Sequence, residues 1–481
     1  MSHRPQLLRR RIVLTGLAST AAGILAACGA TSATTNTPAA PPPVGTSVQT
    51  TAAPTMSAAS NAGASTAVPT AMNAPAMMSG ATRRVAIEYW TINTGSLGGD
   101  TVNDLVKRFN DATPGITVTH KPYPQYPDVL MAVQAALAAK MPPAVAQVGF
   151  GYLRYAATGI PNFPMSEAAK RDATNGGTDW LAKNFAPSTL ALGQVDGVQY
   201  GMPYGISLPL LHYNQTLLSQ AGLNQPPQTF AELRDAARQI KDKTEKYGIY
   251  ILTNTNFYNY QAMMEGNGAR VLQGSGKDVR CGVDSPEAIE AMQLAQDMVL
   301  KDKSAANLPQ AQGEPNFKTG DIAMIMQSNS ALGNYLQSNI TLGTAKFPTF
   351  DTKPRRLPVG GNALFIFATD ADKQAAAWEW IKYLQSPDAL TAWVKATGYL
   401  SPRLGISDDP RYLKPYFDGN RLQQPALDEL PDIVPWVSWP GMNAVQATQN
   451  LVDATNSILS GADAATTLKD VAARVNQLVK G

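Results

Sequence analysis

The segment Tyr200–Ile240 reads YGMPYGISLPLLHYNQTLLSQAGLNQPPQTFAELRDAARQI, and it predicts a strand, a turn and two helices in that order. The apolar run Leu208–Tyr213 is rich in β-favouring residues. Pro209 within it indicates an edge or crossing strand, because proline cannot donate a hydrogen bond to a central ladder. Thr229, with Glu232 three residues later, is the capping-box signal that begins the second helix. None of these features identifies a chemical function by itself, and the order of the elements is the informative feature.

Strand and helix patterns alternate from Arg83 onward. The predicted elements are a strand at Val85–Trp90, a helix at Asp100–Phe109, a strand at Ile116–His120, a helix at Pro127–Lys140 and a strand at Ala144–Val148. This βαβα order favours a parallel sheet with helices on both faces. Trp90 lies where the first strand ends, and open α/β sheets bind ligands at the carboxyl ends of their strands.

Residues 1–27 carry the pattern of an export signal. Arg9–Arg11 precede an uncharged apolar run of about 16 residues, too short for a membrane span but typical of a signal-peptide core. Arg10–Leu14 fits the twin-arginine pattern, although Sec signals also contain arginine pairs, so the export route stays open. Leu25–Cys28 reads LAAC and fits a bacterial lipobox. We therefore expect cleavage before Cys28, and lipidation of its thiol and new amine.

Residues 28–82 have the composition of a disordered tether. Not one charged residue occurs from Ile12 to Thr82, and beyond Cys28 the chain is mostly Ala, Thr, Ser and Pro. Such a segment has too little apolar bulk to offset the entropy of ordering. A flexible chain of roughly 50 residues has an r.m.s. span of about 40 Å. The tether would hold a soluble domain near the membrane without embedding it.

The charge balance argues against nucleic acid and anionic membrane as partners. The chain has 39 basic and 36 acidic residues, and cleavage removes Arg4 and Arg9–Arg11, which leaves 35 basic residues. A nearly neutral net charge removes the main electrostatic argument for a polyanionic partner. Only two cysteines are present, so lipidation of Cys28 leaves Cys281 without a disulfide partner. We expect Cys281 to be a small, semi-buried hydrophobe.

Four signatures in order resemble family 1 extracellular solute-binding proteins, the sugar-capturing subunits of bacterial ABC importers. They are the opening segment, the F-x-x-G-x-x-A-M element in Phe317–Met326, the Gly-led strand Gly360–Phe367 and the T-G-Y-L-P-like run Thr397–Pro402. The resemblance covers nearly all of residues 83–481. It implies an α/β, two-lobed periplasmic-binding-protein-like fold of type II, each lobe a sheet flanked by helices, joined by crossover hinge strands. The lobes it implies are 83–200 with 341–400, and 201–340 with 401–481.

Neutral sugars present flat C–H faces and many hydroxyls, which aromatic rings and fixed polar groups recognise. Aromatic candidates at element ends or in loops are Trp90, Phe150, Tyr204, Tyr258, Trp436 and Trp439. The glycerol-3-phosphate binders of the family contact ligand at positions that match Tyr126, Ser207, Ser328, Gly361 and Tyr399. Further polar candidates are Asn329 and Asn362. Core or surface roles are assigned to the helical tryptophans Trp378, Trp380 and Trp393.

Two departures from that subgroup favour a neutral ligand. The Q-V-x-E acid is replaced in Gln147–Phe150, which reads QVGF, and the G-x-R-x-G arginine falls near Val437–Gly441, where no arginine stands. Loss of a bidentate arginine together with added aromatics indicates a neutral sugar, oligosaccharide or polyol. Arg403, close after Tyr399, keeps glycerol 3-phosphate or a glycerophosphodiester open as the alternative ligand.

An enzyme is the main competing class, and the sequence argues against it. H-E-x-x-H, G-x-S-x-G and C-x-x-C motifs are absent, and Gly274–Lys277 lacks the first glycine of a phosphate loop. His3, His120 and His212 are far apart, so we predict no catalytic residue, metal or cofactor. The expected partners are a small-molecule ligand, permease subunits and the membrane through the N-terminal lipid only, without nucleic acid. We expect a lipid-anchored extracytoplasmic monomer; a sensing lipoprotein without a transporter stays open.

Overall fold

The computed structural model describes residues 84–172, 176–251, 257–274 and 278–480. The predicted signal peptide, Cys28 and the 28–82 tether lie outside the described residues, as do three residues of the Gly274–Lys277 turn. Within the described ranges, no helix combines the length and hydropathy that crossing a bilayer requires.

Short strands and helices alternate along this part of the chain. The strands are β1 (Val85–Thr91), β2 (Ile116–Pro122), β3 (Val145–Gly149), β4 (Gln194–Val195), β5 (Val198–Gln199), β6 (Met202–Ser207), β7 (Pro209–Asn214), β8 (Tyr247–Ile251), β9 (Leu272–Gln273), β10 (Arg280–Cys281), β11 (Ala305–Ala306), β12 (Ile322–Ser328), β13 (Leu342–Ala345), β14 (Leu357–Pro358), β15 (Gly360–Ile366) and β16 (Ile433–Val434). The helices are α1 (Gly99–Ala112), α2 (Tyr126–Ala138), α3 (Leu153–Gly159), α4 (Met165–Arg171), α5 (Gly177–Asn184), α6 (Pro187–Ala191), α7 (Gln215–Gln220), α8 (Phe230–Thr244), α9 (Tyr258–Gly266), α10 (Pro286–Leu300), α11 (Gln310–Thr319), α12 (Leu332–Tyr335), α13 (Ala371–Leu384), α14 (Pro387–Thr397), α15 (Lys414–Gly419), α16 (Gln424–Asp428), α17 (Ala444–Leu459) and α18 (Ala464–Leu478).

Two five-stranded sheets organise the fold. The first has the strand order β2-β1-β3-β15-β6, and the second has the order β11-β8-β12-β7-β13. In the first sheet β1 is parallel to β2 and β3, as the βαβα pattern predicts. β15 is antiparallel to both of its neighbours, β3 and β6. The wholly parallel sheet that the local pattern favoured is therefore wrong at this edge, because the last two strands come from distant parts of the chain.

Helices flank both sheets. α1 and α2 pack beside β2 and β3, and α13 packs beside β1 and β15. In the second sheet α8, α9 and α11 pack beside β8, β7 and β12. The tryptophans at 378, 380 and 393 are buried, so of the core or surface roles predicted for them they have the core role. Cys281 is buried, more so than the semi-buried position expected for it.

The segment Tyr200–Ile240 carries the chain from one sheet to the other. β6 pairs in the first sheet, Leu208 alone follows it, and β7 pairs in the second sheet. The predicted crossing strand is thus confirmed, whereas an edge position is wrong, since β7 lies between β12 and β13. Pro209 is tolerated there because it is the first residue of β7, opposite Ser328 at the end of β12. The capping box of Thr229 and Glu232 is present.

The strands that follow the expected lobe limits at residues 200 and 340 belong to different sheets. β6, just after residue 200, belongs to the first sheet, and β13, just after residue 340, belongs to the second. The lobe limits themselves stay a prediction.

Candidate ligand-binding site

The site is built around the start of β15. Gly361 has φ of +104°, and a Cβ on it would lie 2.0 Å from the Gly205 carbonyl oxygen, so only glycine fits. The register between β15 and β6 then shifts between Asn362 and Ala363. Such an irregularity re-aims the adjacent side chain. The Asn362 amide donates a hydrogen bond of 3.1 Å to the Tyr126 hydroxyl.

Tyr126 and Tyr399 form the middle of the site. Tyr126 is the first residue of α2, whose start is fixed by the Gln125 N–H donating to the Asp128 carboxylate at 3.1 Å. Tyr399 follows α14 and stacks on Trp393, with ring centroids 5.6 Å apart and planes at 12°. The two hydroxyls are close neighbours, and burial raises the pKa of both tyrosines. Both rings therefore offer neutral hydroxyl groups.

The hydrogen-bonded network continues to the end of β12. Tyr399 also lies near the side chains of Ser330 and Asn362. The hydroxyls of Ser328 and Ser330 lie 2.8 Å apart and share a hydrogen bond. Tyr399 thereby connects a loop of the second sheet with a strand of the first.

Tyr258 completes this group from the second sheet's side. It begins α9, and its hydroxyl lies beside the Ser207 side chain and the backbone of Gly360. Burial raises the pKa of Tyr258 well above its ordinary value, so this hydroxyl is neutral too. We refer to the following residues as the central cluster: Tyr126, Ser207, Tyr258, Ser328, Ser330, Asn362 and Tyr399.

Trp436 lies at one border of the central cluster. Its ring centroid is 4.9 Å from that of Tyr258, with planes at 51°. A Cβ on Gly151, in the turn after β3, would come within 3.1 Å of the indole, so the ring lies directly over this glycine. Phe150, the first residue of that turn, borders the same cavity as Trp436.

The loop that carries Trp436 is fixed by a buried amide. The Gln261 side chain donates to the Pro435 carbonyl and accepts from the Val437 N–H, both at 3.0 Å. Its amide thus pairs with the backbone on each side of Trp436. Ser438 Oγ accepts a further hydrogen bond of 3.0 Å from the Arg154 N–H.

Three of the predicted aromatic residues make other contacts. Trp90 packs on Tyr123 at 5.2 Å between ring centroids, and Lys121 Nζ lies 4.6 Å from its ring. Tyr204 stacks on Trp393 with ring centroids 4.8 Å apart, and Trp393 in turn stacks on Tyr399. Trp439 is fully buried in the hydrophobic core. The structure does not bring these three side chains into the central cluster, and core packing accounts for their positions.

The sequence reasoning missed Ser330 and Gln261. Ser330 stands two residues after Ser328, beyond the end of β12. Gln261 lies three residues after Tyr258, and that spacing places both on one face of α9. Arg403, the residue that kept an anionic ligand open, donates from its guanidinium to the Gln385 carbonyl at 2.8 Å and to the Asn184 side chain.

A polar cavity of about 740 Å³ borders the central cluster at Ser330. It is lined from both sheets, by Gln125 on one side and Gln327 on the other. Glu314 accepts hydrogen bonds from Gln310 at 2.8 Å and from Gln327 at 3.0 Å, and burial raises the pKa of Glu314. This cavity offers amide, hydroxyl and carboxyl groups to hydroxyl-bearing solutes.

Residues 104–415 match the family described as bacterial extracellular solute-binding protein, and the chain belongs to this family. It is similar to the sn-glycerol-3-phosphate-binding periplasmic protein UgpB of Brucella abortus, at 27% identity over 340 residues, covering 68% of this chain and 76% of the relative. The UgpB of Rhizobium meliloti is 24% identical over 404 residues, covering 80% and 91% of the two chains.

Solved structures of similar fold include UgpB from Mycobacterium tuberculosis in complex with glycerophosphocholine. Its TM-score is 0.71 at 22% identity, covering 82% of this chain and 98% of that one. The GacH receptor of Streptomyces glaucescens, solved unliganded and with acarbose, gives 0.70 at 20% identity, covering 82% and 99%. The fold is therefore the two-lobed type II periplasmic-binding fold. The chain is an extracytoplasmic solute-binding protein of an ABC importer, and it binds its solute without catalysing a reaction.

Proposed function

We propose that the protein captures a neutral carbohydrate or polyol at the central cluster, between two lobes, and delivers it to an ABC permease. The observation that carries this proposal is the chemistry of the cluster, which consists of hydroxyl and amide groups beside aromatic rings and has no formally charged member. Such groups pair with sugar hydroxyls, while rings cover C–H faces.

The contributions of both sheets support capture between lobes. Asn362 stands on a strand of the first sheet within the proposed lobe 83–200 with 341–400, and Ser328 ends a strand of the second sheet within the proposed lobe 201–340 with 401–481. A ligand that bonds to both sets holds the lobes together, which is the logic of hinge closure. We keep 83–200 with 341–400, and 201–340 with 401–481, as the proposed lobes.

Binding experiments on residues 82–481 test this function, since they contain every described element. We expect saturable binding of at least one neutral sugar or polyol, measured by calorimetry, and a loss of affinity in Asn362→Ala. If a broad panel of neutral sugars and polyols fails to bind while sn-glycerol 3-phosphate binds, the neutral-ligand proposal is wrong.

A glycerol phosphate compound is the second candidate ligand. The observation that favours it is the likeness to proteins named for sn-glycerol 3-phosphate binding, together with the fold shared with a glycerophosphocholine complex. Titration with sn-glycerol 3-phosphate and sn-glycero-3-phosphocholine in the same experiment separates the two candidates.

We further propose that Cys28 carries a lipid that anchors the mature protein to the cell membrane, and that the protein is a monomer. The lipobox at 25–28 and the uncharged segment after it support the anchor. We expect Cys28→Ala to move the protein from the membrane fraction to the medium or periplasm. If the protein is a monomer, light scattering on residues 82–481 gives the mass of one chain.

A further inference from the structure

A second cavity, of about 360 Å³, is lined by Trp436, whose ring also contacts Tyr258. We call it the Trp436 cavity, and its walls include Phe150, Leu192, Arg270, Arg356, Val359 and Trp436. We propose that the Trp436 cavity is a subsite for an aromatic ring bearing an acidic group, attached to the hydroxyl-rich part of the ligand. This inference rests on the proposed function, since the hydroxyl-rich part is the part held by the central cluster.

The walls of the Trp436 cavity suit a ring and not a second sugar unit. Apart from its charged side chains and the polar Gln194 and Ser438, the lining is aliphatic or aromatic and includes Leu192, Val359, Phe150 and Trp436. Sugar hydroxyls placed against the apolar part of the lining would lack partners, which is unfavourable. A flat ring instead gains burial of apolar area and stacking against aromatic neighbours.

The charge of the cavity specifies an acid on that ring. Three lining guanidinium groups, those of Arg154, Arg270 and Arg356, come from three different segments, whereas Glu265 is the one lining carboxylate. Arg356 Nε lies 3.3 Å from Glu265 Oε2, and Arg270 donates to the Ala269 carbonyl at 2.7 Å. Each guanidinium has five N–H donors, so these contacts leave donors for a carboxylate, sulfonate or phosphate.

Arg154 is paired in a different way. It makes a two-point contact with the exposed Asp196, at 3.1 Å for each nitrogen–oxygen pair. Asp196 is outside the cavity lining, and a surface pair of this kind is weak. An acidic group in the cavity therefore meets an excess of positive charge.

The wall at Trp436 is pre-organised. Gln261 fixes the backbone on both sides of the indole, and the same amide donates to Glu265 at 3.2 Å. Glu265 in turn pairs with Arg356, so one hydrogen-bonded chain joins the stacking ring to a guanidinium of the subsite. The volume also fits, because a cavity of about 150 Å³ already holds benzene.

The test uses 1-anilinonaphthalene-8-sulfonate, an aromatic sulfonate whose fluorescence rises in apolar sites, on residues 82–481. We expect saturable one-to-one binding that falls at least tenfold in Leu192→Trp, because the new ring fills the cavity. Leu192 is only partly buried, so this variant should fold. Arg356→Gln should also weaken binding at least tenfold and reduce its salt dependence. Lys318→Gln, at the Ser330 side, is the matched control.

Two comparisons separate this inference from the proposed function. Asn362→Ala should lower the affinity for a neutral sugar but leave the affinity for the sulfonate probe unchanged. If the probe binds and no sugar binds, the proposed function is wrong, while the inference about the Trp436 cavity stands. If neither Leu192→Trp nor Arg356→Gln changes the affinity for the probe, while sugars bind normally, the subsite proposal alone is wrong. A 4-carboxyphenyl glycoside of the bound sugar should bind at least tenfold tighter than its methyl glycoside. Equal affinity, with free 4-hydroxybenzoate displacing the probe, would show that the ring is not part of the ligand.

Discussion

The Asn362 amide and the Tyr126 hydroxyl are joined at 3.1 Å although 236 residues separate them in the chain. The contact connects the start of β15 to the first turn of α2, next to the register shift between Asn362 and Ala363. Tyr399 lies near both residues, so the two tyrosine hydroxyls and the amide form one polar group.

Replacing Asn362 by alanine should weaken solute binding without unfolding the protein. The change removes one donor to Tyr126, and a lost hydrogen bond of this type costs about 1–1.5 kcal/mol, or roughly tenfold in affinity. Calorimetric titration gives the affinity and thermal unfolding gives the stability. Asn443→Ala, at an exposed position, is the control. Wild-type affinity in Asn362→Ala would remove Asn362 from the binding site.

Tyr399 requires a conservative change to separate binding from folding. Tyr399→Phe keeps the ring on Trp393 and removes only the hydroxyl, so we expect about tenfold weaker binding with nearly unchanged stability. Tyr399→Ala empties a buried site and should cost about 3–5 kcal/mol of unfolding free energy, as large-to-small aromatic changes do. Urea unfolding and titration of both variants check this. Full affinity in the phenylalanine variant would contradict a binding role for the hydroxyl.

Gln261 should act on the ligand only through Trp436. Gln261→Leu leaves the Pro435 carbonyl and the Val437 N–H without their side-chain partner, which costs about 1–3 kcal/mol of stability and loosens the indole. In a double-mutant cycle, its effect on ligand affinity should vanish in a Trp436→Ala background, while its effect on stability persists. Additive effects on affinity would mean that Gln261 touches the ligand by another route.

The Gly151 position should report directly on Trp436. Gly151→Val places a branched side chain where the indole lies 3.1 Å from the Cβ position, so the ring must move. The contribution of Trp436 to the fluorescence is the part that is lost in Trp436→Phe. We expect acrylamide to quench this part more strongly in Gly151→Val than in the wild type. Gly115→Val is the matched control, because a Cβ there meets no atom within 4 Å. Identical quenching in both glycine variants would place the indole elsewhere.

Glu429 should make stability fall as pH rises toward 8. Its carboxyl is fully buried and accepts from the Phe347 N–H at 2.9 Å, with Arg355 Nε at 3.0 Å. Burial raises the pKa of Glu429 from 4.5 to about 8, and Arg355 only partly opposes this. Between these values the folded state keeps a proton that the unfolded state has released, so stability is highest below pH 4.5 and declines through pH 8.

Glu429→Gln should remove that decline. Relative to wild type, the variant should gain about 1 kcal/mol or more of unfolding free energy between pH 5 and pH 8, since one pKa unit corresponds to about 1.4 kcal/mol. Denaturant titrations at both pH values measure the difference. Glu167→Gln, at a surface carboxylate, should show no such change. Parallel pH profiles for Glu429→Gln and wild type would mean that Glu429 is ionised throughout this range.

Local signals in the sequence predicted the elements well, and contacts between distant segments explain most of what they missed. The capping box at Thr229 depends on residues only three positions apart. The antiparallel direction of β15 and the place of β7 beside β13 depend on chain returning from more than a hundred residues away.

The aromatic candidates illustrate the same division for the site. Tyr126, Tyr258 and Tyr399 meet at the central cluster, whereas Tyr204 and Trp439 are buried in the core. Both sets have the same local pattern, an aromatic residue near an element end. Contacts between distant segments decide which rings reach the central cluster, and no spacing in the sequence carries that information.

The link between β6 and β7 has a mechanical consequence. Leu208 is the single residue between strands of different sheets, and Asn329 brackets it, accepting from its N–H at 2.9 Å and donating to its carbonyl at 3.1 Å. One residue advances the chain by only about 3.8 Å, so the sheets cannot slide past each other along this connection. Relative motion of the sheets at this connection therefore involves rotation at Leu208 or bending of the strands beside it. Asn329 holds this link by two hydrogen bonds without being a member of the central cluster, so we expect changes at Asn329 to alter the opening of the lobes without direct contact with the ligand.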